Sequence, residues 1–202
     1  MIGVLDYGMG NLSSVTNALE YLGIQNVIIK DETGFDNISH LIIPGVGSFG
    51  KAMENITARN FIAQIHNFDK KGLPILGICL GMQLLAETGT EPIECSGLGV
   101  IEGRVEFLRA DCIRVPHVGW NGIKVVNDHP ILENVKRSAD FYFVHSYRFV
   151  TAKQQNIVAE TDYGVEFPTI VSNDRGNVVG IQFHPEKSQK QGLQILTNFS
   201  NL

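Results

Sequence analysis

The chain opens on a short apolar run, Ile2-Gly3-Val4-Leu5, which reads as a strand buried on both faces. A glycine-rich turn follows at Gly8-Met9-Gly10-Asn11. Beyond it Val15, Ala18, Leu19 and Leu22 recur near a period of 3.6, the spacing of an amphipathic helix. Ser13 or Ser14 is placed to cap that helix, and Gly23 to end it. Val27-Ile28-Ile29 and Leu41-Ile42-Ile43 read as further strands, the second stopped by Pro44-Gly45. Residues 52–71 keep helical spacing through Ile56, Phe61, Ile65 and Phe68, which predicts one long helix. Pro74-Ile75-Leu76-Gly77-Ile78 is a fourth strand, and Met82-Gln83-Leu84-Leu85-Ala86 starts another helix. Alternation of this kind predicts a parallel sheet covered on both faces.

The pattern changes in the second half. Short strand candidates crowd together at residues 100–108, 122–126, 141–144, 157–160, 165–172 and 178–183, before a final helix around 192–199. The expected fold is therefore α/β: a mixed, mostly parallel sheet flanked by helices, with an antiparallel portion in the second half. No linker, repeat or low-complexity tract divides the chain, so residues 1–202 read as one domain.

With 44% hydrophobic and 18% charged residues the chain can close an ordinary core, which excludes disorder for most of its length. Sixteen basic and 21 acidic side chains give a net charge of −5, and no Lys/Arg run could grip a phosphate backbone. Nucleic acid is therefore not an expected partner. The N-terminus carries no basic segment and meets Asp6 at once, unlike a signal peptide. No apolar stretch approaches the roughly 20 residues of a membrane helix. Three cysteines, Cys79, Cys95 and Cys112, include no C-x-x-C pair, so neither zinc nor a disulfide framework is expected. A cytoplasmic protein without metal or cofactor is the expectation.

Candidate chemistry centres on Gly77-Ile78-Cys79-Leu80-Gly81, which has the G-x-S-x-G spacing of a nucleophile elbow with sulfur in place of oxygen. The nucleophile of an elbow sits on a sharp strand-to-helix turn, where side chains two positions to either side would strike packed backbone. A buried structural cysteine in a tight turn is the bland alternative. Among six histidines only His184 follows an apolar strand and carries a carboxylate nearby, in His184-Pro185-Glu186. Proline keeps the residue before it extended, and alternation along an extended chain lets His184 and Glu186 lean to one side. A carboxylate on one ring nitrogen fixes the tautomer and leaves the other to take the thiol proton. Cys79, His184 and Glu186 together make a triad candidate.

Acyl transfer also needs donors for an oxyanion. Pro44-Gly45-Val46-Gly47, after the third strand, offers unobstructed backbone N–H groups, and Leu80 supplies the N–H that follows the nucleophile. Other motifs fail. Gly8-Met9-Gly10 starts a dinucleotide fingerprint, but Ser13 stands where its third glycine belongs. Ser48 lacks the leading glycine of a serine elbow. On residue type alone Trp120 and the aromatic run at residues 141–147 read mostly as core.

Gly77-Ile78-Cys79-Leu80-Gly81-Met82-Gln83, taken with Gly180-Ile181-Gln182-Phe183-His184-Pro185-Glu186-Lys187-Ser188, resembles the class I (triad) glutamine amidotransferases, a family of flavodoxin-like fold. Further segments resemble one branch of it: Asp6-Tyr7-Gly8-Met9-Gly10-Asn11-Leu12, Pro44-Gly45-Val46-Gly47-Ser48-Phe49-Gly50, Pro116-His117-Val118-Gly119-Trp120-Asn121 and Tyr142-Phe143-Val144-His145-Ser146-Tyr147. The resemblance runs from the first strand to the last helix. It implies that Cys79 attacks the carboxamide of glutamine, that His184 is base and then acid, and that Glu186 orients it. Gln83, Ser146 and Tyr147 would hold the substrate, with Gly47. Gly8, Asn11, Trp120, Asn121, Tyr142 and Lys187 would line the face toward a partner.

In the resembled branch that partner is a separate (β/α)8 cyclase subunit, which forms a heterodimer with its glutaminase and receives ammonia through a closed route. The isolated glutaminase is then expected to be nearly silent, with the Gly45–Gly47 backbone turning a carbonyl rather than an N–H to the oxyanion until the partner is liganded. Three rivals stay open on the sequence: a paralogue feeding a surface-sugar amidotransferase, a stand-alone thiol hydrolase of γ-glutamyl compounds, and a non-enzymatic relic of the fold.

Overall fold

The computed structural model describes residues 1–109 and 113–202; Cys112 lies outside the described residues. The first half runs β1 (Ile2–Leu5), α1 (Leu12–Tyr21), β2 (Asn26–Ile29), β3 (His40–Ile43), α2 (Phe49–Ala58), α3 (Phe61–Lys70), β4 (Ile75–Ile78) and α4 (Leu80–Leu84). The second half continues with β5 (Thr88–Gly89), β6 (Cys95–Ser96), β7 (Gly103–Phe107), β8 (His117–Gly122), β9 (Lys124–Val125), β10 (Asp140–His145), β11 (Tyr147–Thr151), β12 (Ile157–Asp162), β13 (Glu166–Ser172), β14 (Val178–Ile181) and α5 (Gln189–Ser200).

Eight strands form the main sheet in the order β2-β1-β3-β4-β14-β13-β12-β9. The five from β2 to β14 are mutually parallel, and β13, β12 and β9 extend them antiparallel. This is the expected mixed sheet, with one refinement. The remaining second-half strands do not join it but form a two-stranded ribbon, β10–β8, and a small four-stranded sheet, β11-β7-β5-β6. Strands β1, β4 and β14 are buried at every position, as strands with helices on both faces must be. Two apolar clusters fill the two faces: Leu5, Phe49, Ile56, Phe61 and Ile65 on one, Val4, Leu19, Phe141, Phe183 and Phe199 on the other. No helix among the described residues is long and apolar enough to cross a membrane.

Three local expectations need correction. Residues 52–71 are two helices, because Asn60 adopts a left-handed conformation (φ 57°) between them. Asparagine tolerates that conformation where most residues do not, and the uninterrupted apolar spacing on either side hid the break. Helix α1 is capped by neither serine; Asn11 accepts a hydrogen bond from the Ser14 N–H at 3.4 Å. Strand β8 begins at His117, ahead of the segment 122–126 expected to be a strand, and its outer residues Val118 and Trp120 are about half exposed rather than core.

Candidate active site

Strand β4 ends in a turn that only this glycine spacing permits. A Cβ on Gly77 would sit 2.5 Å from the Gly81 carbonyl oxygen, and one on Gly81 would lie 1.7 Å from the Ile43 oxygen of the neighbouring strand. Both glycines are therefore required by close backbone approach. Between them Cys79 is held at φ 55°, ψ −109°, a sparsely populated conformation for a residue with a side chain. The bond from the Cys79 N–H to the Ile181 carbonyl, 2.8 Å, ties the turn to β14. Strain of this kind costs roughly 1–3 kcal/mol and persists only where the surrounding packing imposes it. The result is a sulfur at the C-terminal edge of the parallel strands, where open α/β sheets place their ligand sites.

Strand β14 leads through Gln182 and Phe183 to His184, whose side chain is almost fully buried. His184 is extended, as the following proline requires, but residues Pro185–Lys187 then turn as a short 3-10 helix. The turn, not continued alternation, brings Glu186 back, so that its carboxylate meets Nδ1 of His184 at 2.8 Å. Nδ1 is thereby the protonated nitrogen, and Nε2 is left without a hydrogen-bond partner among the described residues. Burial by itself lowers the basicity of His184. The sulfur of Cys79 and the carboxylate of Glu186 outweigh it, raising the pKa to about 9. Ser188 anchors the segment by donating to the His184 carbonyl at 2.6 Å while accepting from the Tyr142 N–H at 2.9 Å.

A cavity of about 330 Å³ opens over Cys79, at the lower end of the range for small-molecule sites. Val46, Gly47, Leu80, Gln83, His145, Ser146 and Tyr147 line it together with Cys79. Among the described residues the N–H groups of Gly47 and Leu80, two residues that line the cavity, have no internal acceptor. Gly45 does not line the cavity. It packs beneath, where a Cβ would meet the Tyr7 hydroxyl at 2.4 Å, and that hydroxyl donates to the Pro44 carbonyl at 2.7 Å. Gln83 is more engaged than the sequence suggests: its amide donates to the Tyr147 carbonyl (3.1 Å) and to the side-chain oxygen of Gln182 (3.2 Å).

Four lining residues, Glu91, Pro116, Val144 and His145, were given no site role on the sequence, and Glu91 is the charged one. Glu91, from the loop after β5, reaches the cavity, and its carboxylate accepts from the Phe49 N–H at 3.2 Å. Burial raises its pKa, the Phe49 bond opposing. Nothing in the local sequence marks it, because it arrives on an irregular loop from the four-stranded sheet.

The residues expected at a partner face lie beside this site rather than in it. Trp120 packs edge-on against Tyr142 across the β8–β10 ribbon, with ring centroids 6.0 Å apart, and the Lys187 ammonium lies 5.9 Å from the centre of the Tyr142 ring. Tyr142 in turn approaches His184. The Asn121 side chain donates to the Asp162 carbonyl at 3.0 Å. Gly8 and Asn11 sit on the adjacent loop, where Met9 and Gly10 pack against Gly47 and Gly45.

A strained cysteine elbow opening into a cavity, with a buried His–Glu pair on the next strand, is an arrangement suited to thiol acyl transfer. The profile of the family "Glutamine amidotransferase class-I" matches residues 3–201, and the chain belongs to that family. Solved structures agree on the fold: the PurLQS structure from Thermotoga maritima superposes with a TM-score of 0.76 at 23% identity, covering 99% of this chain and 97% of that one. A further glutamine amidotransferase gives 0.77 at 22%, covering 98% of each. More specifically, the chain is similar to the imidazole glycerol phosphate synthase subunit HisH of several organisms. Identity is 45% to that of Aquifex aeolicus, covering 97% of this chain and 94% of the relative. It is 44% to that of Methanocaldococcus jannaschii over the whole of both chains, and 42% to that of Moorella thermoacetica over 100% and 94%.

Proposed function

We propose that this chain is the glutaminase subunit of imidazole glycerol phosphate synthase, releasing ammonia from glutamine for histidine biosynthesis. One observation carries the chemistry: His184, buried and bound to Glu186 at 2.8 Å, sits beside the sulfur of a cysteine held at positive φ. The full-length similarity to HisH subunits carries the pathway.

The cycle follows from the groups present. Glutamine enters with its carboxamide over Cys79. With its pKa near 9, His184 already holds the Cys79 proton on Nε2 at neutral pH; the thiolate attacks the carbonyl carbon, and the oxygen takes negative charge facing the N–H groups of Leu80 and Gly47, with Val46 beside them. His184 then protonates the departing nitrogen, the C–N bond breaks, and ammonia leaves a γ-glutamyl thioester on Cys79. Water, deprotonated by His184, attacks the thioester and releases glutamate. Glu186 holds the imidazole in one tautomer throughout and stabilises it when charged. At the far end the Glu91 carboxylate suits the α-ammonium of the substrate, and the Ser146–Tyr147 backbone suits its α-carboxylate.

Ammonia released into water at neutral pH is protonated and no longer a nucleophile, so it must leave by a closed route. The partner that receives it is a separate cyclase subunit of (β/α)8 fold, docked over Gly8, Asn11, Trp120, Asn121, Tyr142 and Lys187. The reaction belongs in the cytoplasm, with the pathway it serves. The whole chain acts as one domain, and no cofactor enters the cycle. Gly47, at a φ of +114°, lets the peptide beside Val46 change direction, which couples the oxyanion donors to the partner's state.

Glutamate release from glutamine tests this reading, measured with the chain alone, with the cyclase subunit of the same source, and with cyclase plus its nucleotide ligand. A rise of several orders of magnitude in the third tube is expected. High activity of the chain alone would instead indicate a free hydrolase. Silence in all three would point to another synthase, such as one that amidates surface sugars.

A further inference from the structure

His117 and His145 take no part in the cycle above, yet both are buried beside it. They stand opposite each other in the register of the β8–β10 ribbon, on its inner face. Nδ1 of His145 lies 2.8 Å from the Tyr147 carbonyl, which can only accept, so that nitrogen carries the proton. Nε2 of the same neutral ring is then an acceptor. Nδ1 of His117, 3.1 Å away, must be its donor. One backbone carbonyl thus dictates the tautomer of two successive rings.

The arrangement fits neutral imidazoles alone, since a proton added at Nε2 of His145 would set two donors face to face. Burial keeps both rings uncharged: each titrates near 4, His145 being lowered further by His117 and His184 and only partly restored by its bond to Tyr147. The plane of His117 is fixed as well, stacked on Tyr163 with centroids 3.9 Å apart and on Phe143 at 4.8 Å. The carbonyl at the end of this chain is the one that Gln83 also binds, and Gln83 continues through Gln182 to the Cys79 sulfur. His145, Ser146 and Tyr147 line the same cavity as Cys79, Val46 and Gly47. The Tyr147 carbonyl therefore ties two cavity-lining side chains, His145 and Gln83, to one backbone point of the lining.

We propose that His117 and His145 are positioning residues for the glutamine site: a neutral imidazole pair, locked in one tautomer, that holds the Tyr147 carbonyl and with it the Ser146–Tyr147 wall of the cavity. The proposal deepens the glutaminase reading and rests on it. It assigns the pair to substrate binding rather than to the chemical step, because neither ring contacts Nδ1 of His184 or Glu186.

Two substitutions separate the hydrogen bond from the packing. His117→Phe keeps a stacked ring and removes the donor to His145. His117→Asn loses the ring and returns an N–H near the position of Nδ1. Both are assayed in complex with the liganded cyclase subunit, with glutamine and separately with ammonium salt. His117→Phe is expected to raise KM for glutamine about tenfold, the cost of a buried acceptor left unpaired, with kcat changed less than threefold. His117→Asn should recover most of the loss, and the ammonium-driven rate should stay at the wild-type value in both. A wild-type KM in His117→Phe, or equal losses in the two variants, would overturn the proposal. Long-range proton–nitrogen NMR of the wild-type chain at pH 7 decides the same point without a substitution. Both rings should be neutral with the proton on Nδ1, and a charged ring or an Nε2–H tautomer at either residue would refute it. A wild-type complex that cleaves no glutamine would sink the glutaminase reading instead, and the NMR result would still decide the pair.

Discussion

Replacing Gly81 by alanine tests the elbow most severely. The new Cβ would lie 1.7 Å from the Ile43 carbonyl oxygen and 2.8 Å from its carbon, both backbone atoms of the adjacent parallel strand. A carbon–oxygen contact needs about 3.3 Å, so the turn must move by roughly 1.5 Å to accept one methyl group. No side chain can yield in its place. Misplacing a reacting group by about 1 Å costs on the order of 10²-fold in rate. Gly81→Ala should therefore lower glutamine-dependent kcat by at least about a hundredfold, and stability by roughly 1–3 kcal/mol through the backbone shift. Gly23→Ala is the control for backbone strain alone. Its φ is +70° and nothing lies within 4 Å of the added carbon, so it should lose about 1 kcal/mol and keep its kcat. Glutamate release and urea unfolding of both variants, in the complex and as the free chain respectively, decide the matter. If Gly81→Ala turned over glutamine at near the wild-type rate, the steric account of the elbow would be wrong.

Three further outcomes follow from the site. Cys79→Ser should abolish glutamine-dependent synthesis in the complex while leaving the ammonium-driven reaction intact, both read by product formation. Glu186→Gln removes the carboxylate from Nδ1 of His184, so the value of about 9 should fall and kcat should drop by about 10² or more; a pH–rate profile would show whether the histidine limb moves down. Acid should destabilise the fold well before the carboxylates titrate. His117 and His145 bind protons only near 4 in the fold but near 6.5 when unfolded, so stability falls as pH drops from about 6.5 toward 4. Between pH 7 and pH 5 the loss is on the order of 2 kcal/mol for each ring. Urea unfolding at pH 7 and pH 5 reads it, and His117→Phe should show a shallower fall.

Much of this site is legible in the sequence because sterics and chain neighbourhood write it there. Gly77 and Gly81 announce the elbow since no other residue fits against Ile43 and α4, and His184 with Glu186 are two residues apart. The parallel strands show themselves as apolar runs that nothing interrupts. What stays hidden depends on register and on loops. The pairing of His117 with His145 requires knowing that β8 runs against β10 with those two residues opposite, which no local pattern states. Glu91 comes from a loop without periodicity. Trp120 looks like core by residue type and is half exposed because it lies on the outer face of a ribbon that belongs to neither larger sheet. The break at Asn60 is a single left-handed residue between two well-patterned helices.

The central claim is that Cys79 carries the γ-glutamyl group. Rapid acid quench of the liganded complex during glutamine turnover, followed by peptide mapping by mass spectrometry, observes it directly. The account predicts a γ-glutamyl thioester on the peptide containing Cys79, formed and consumed at the rate of turnover and lost in Cys79→Ser. A label on any other residue, or steady turnover in Cys79→Ser, would contradict it.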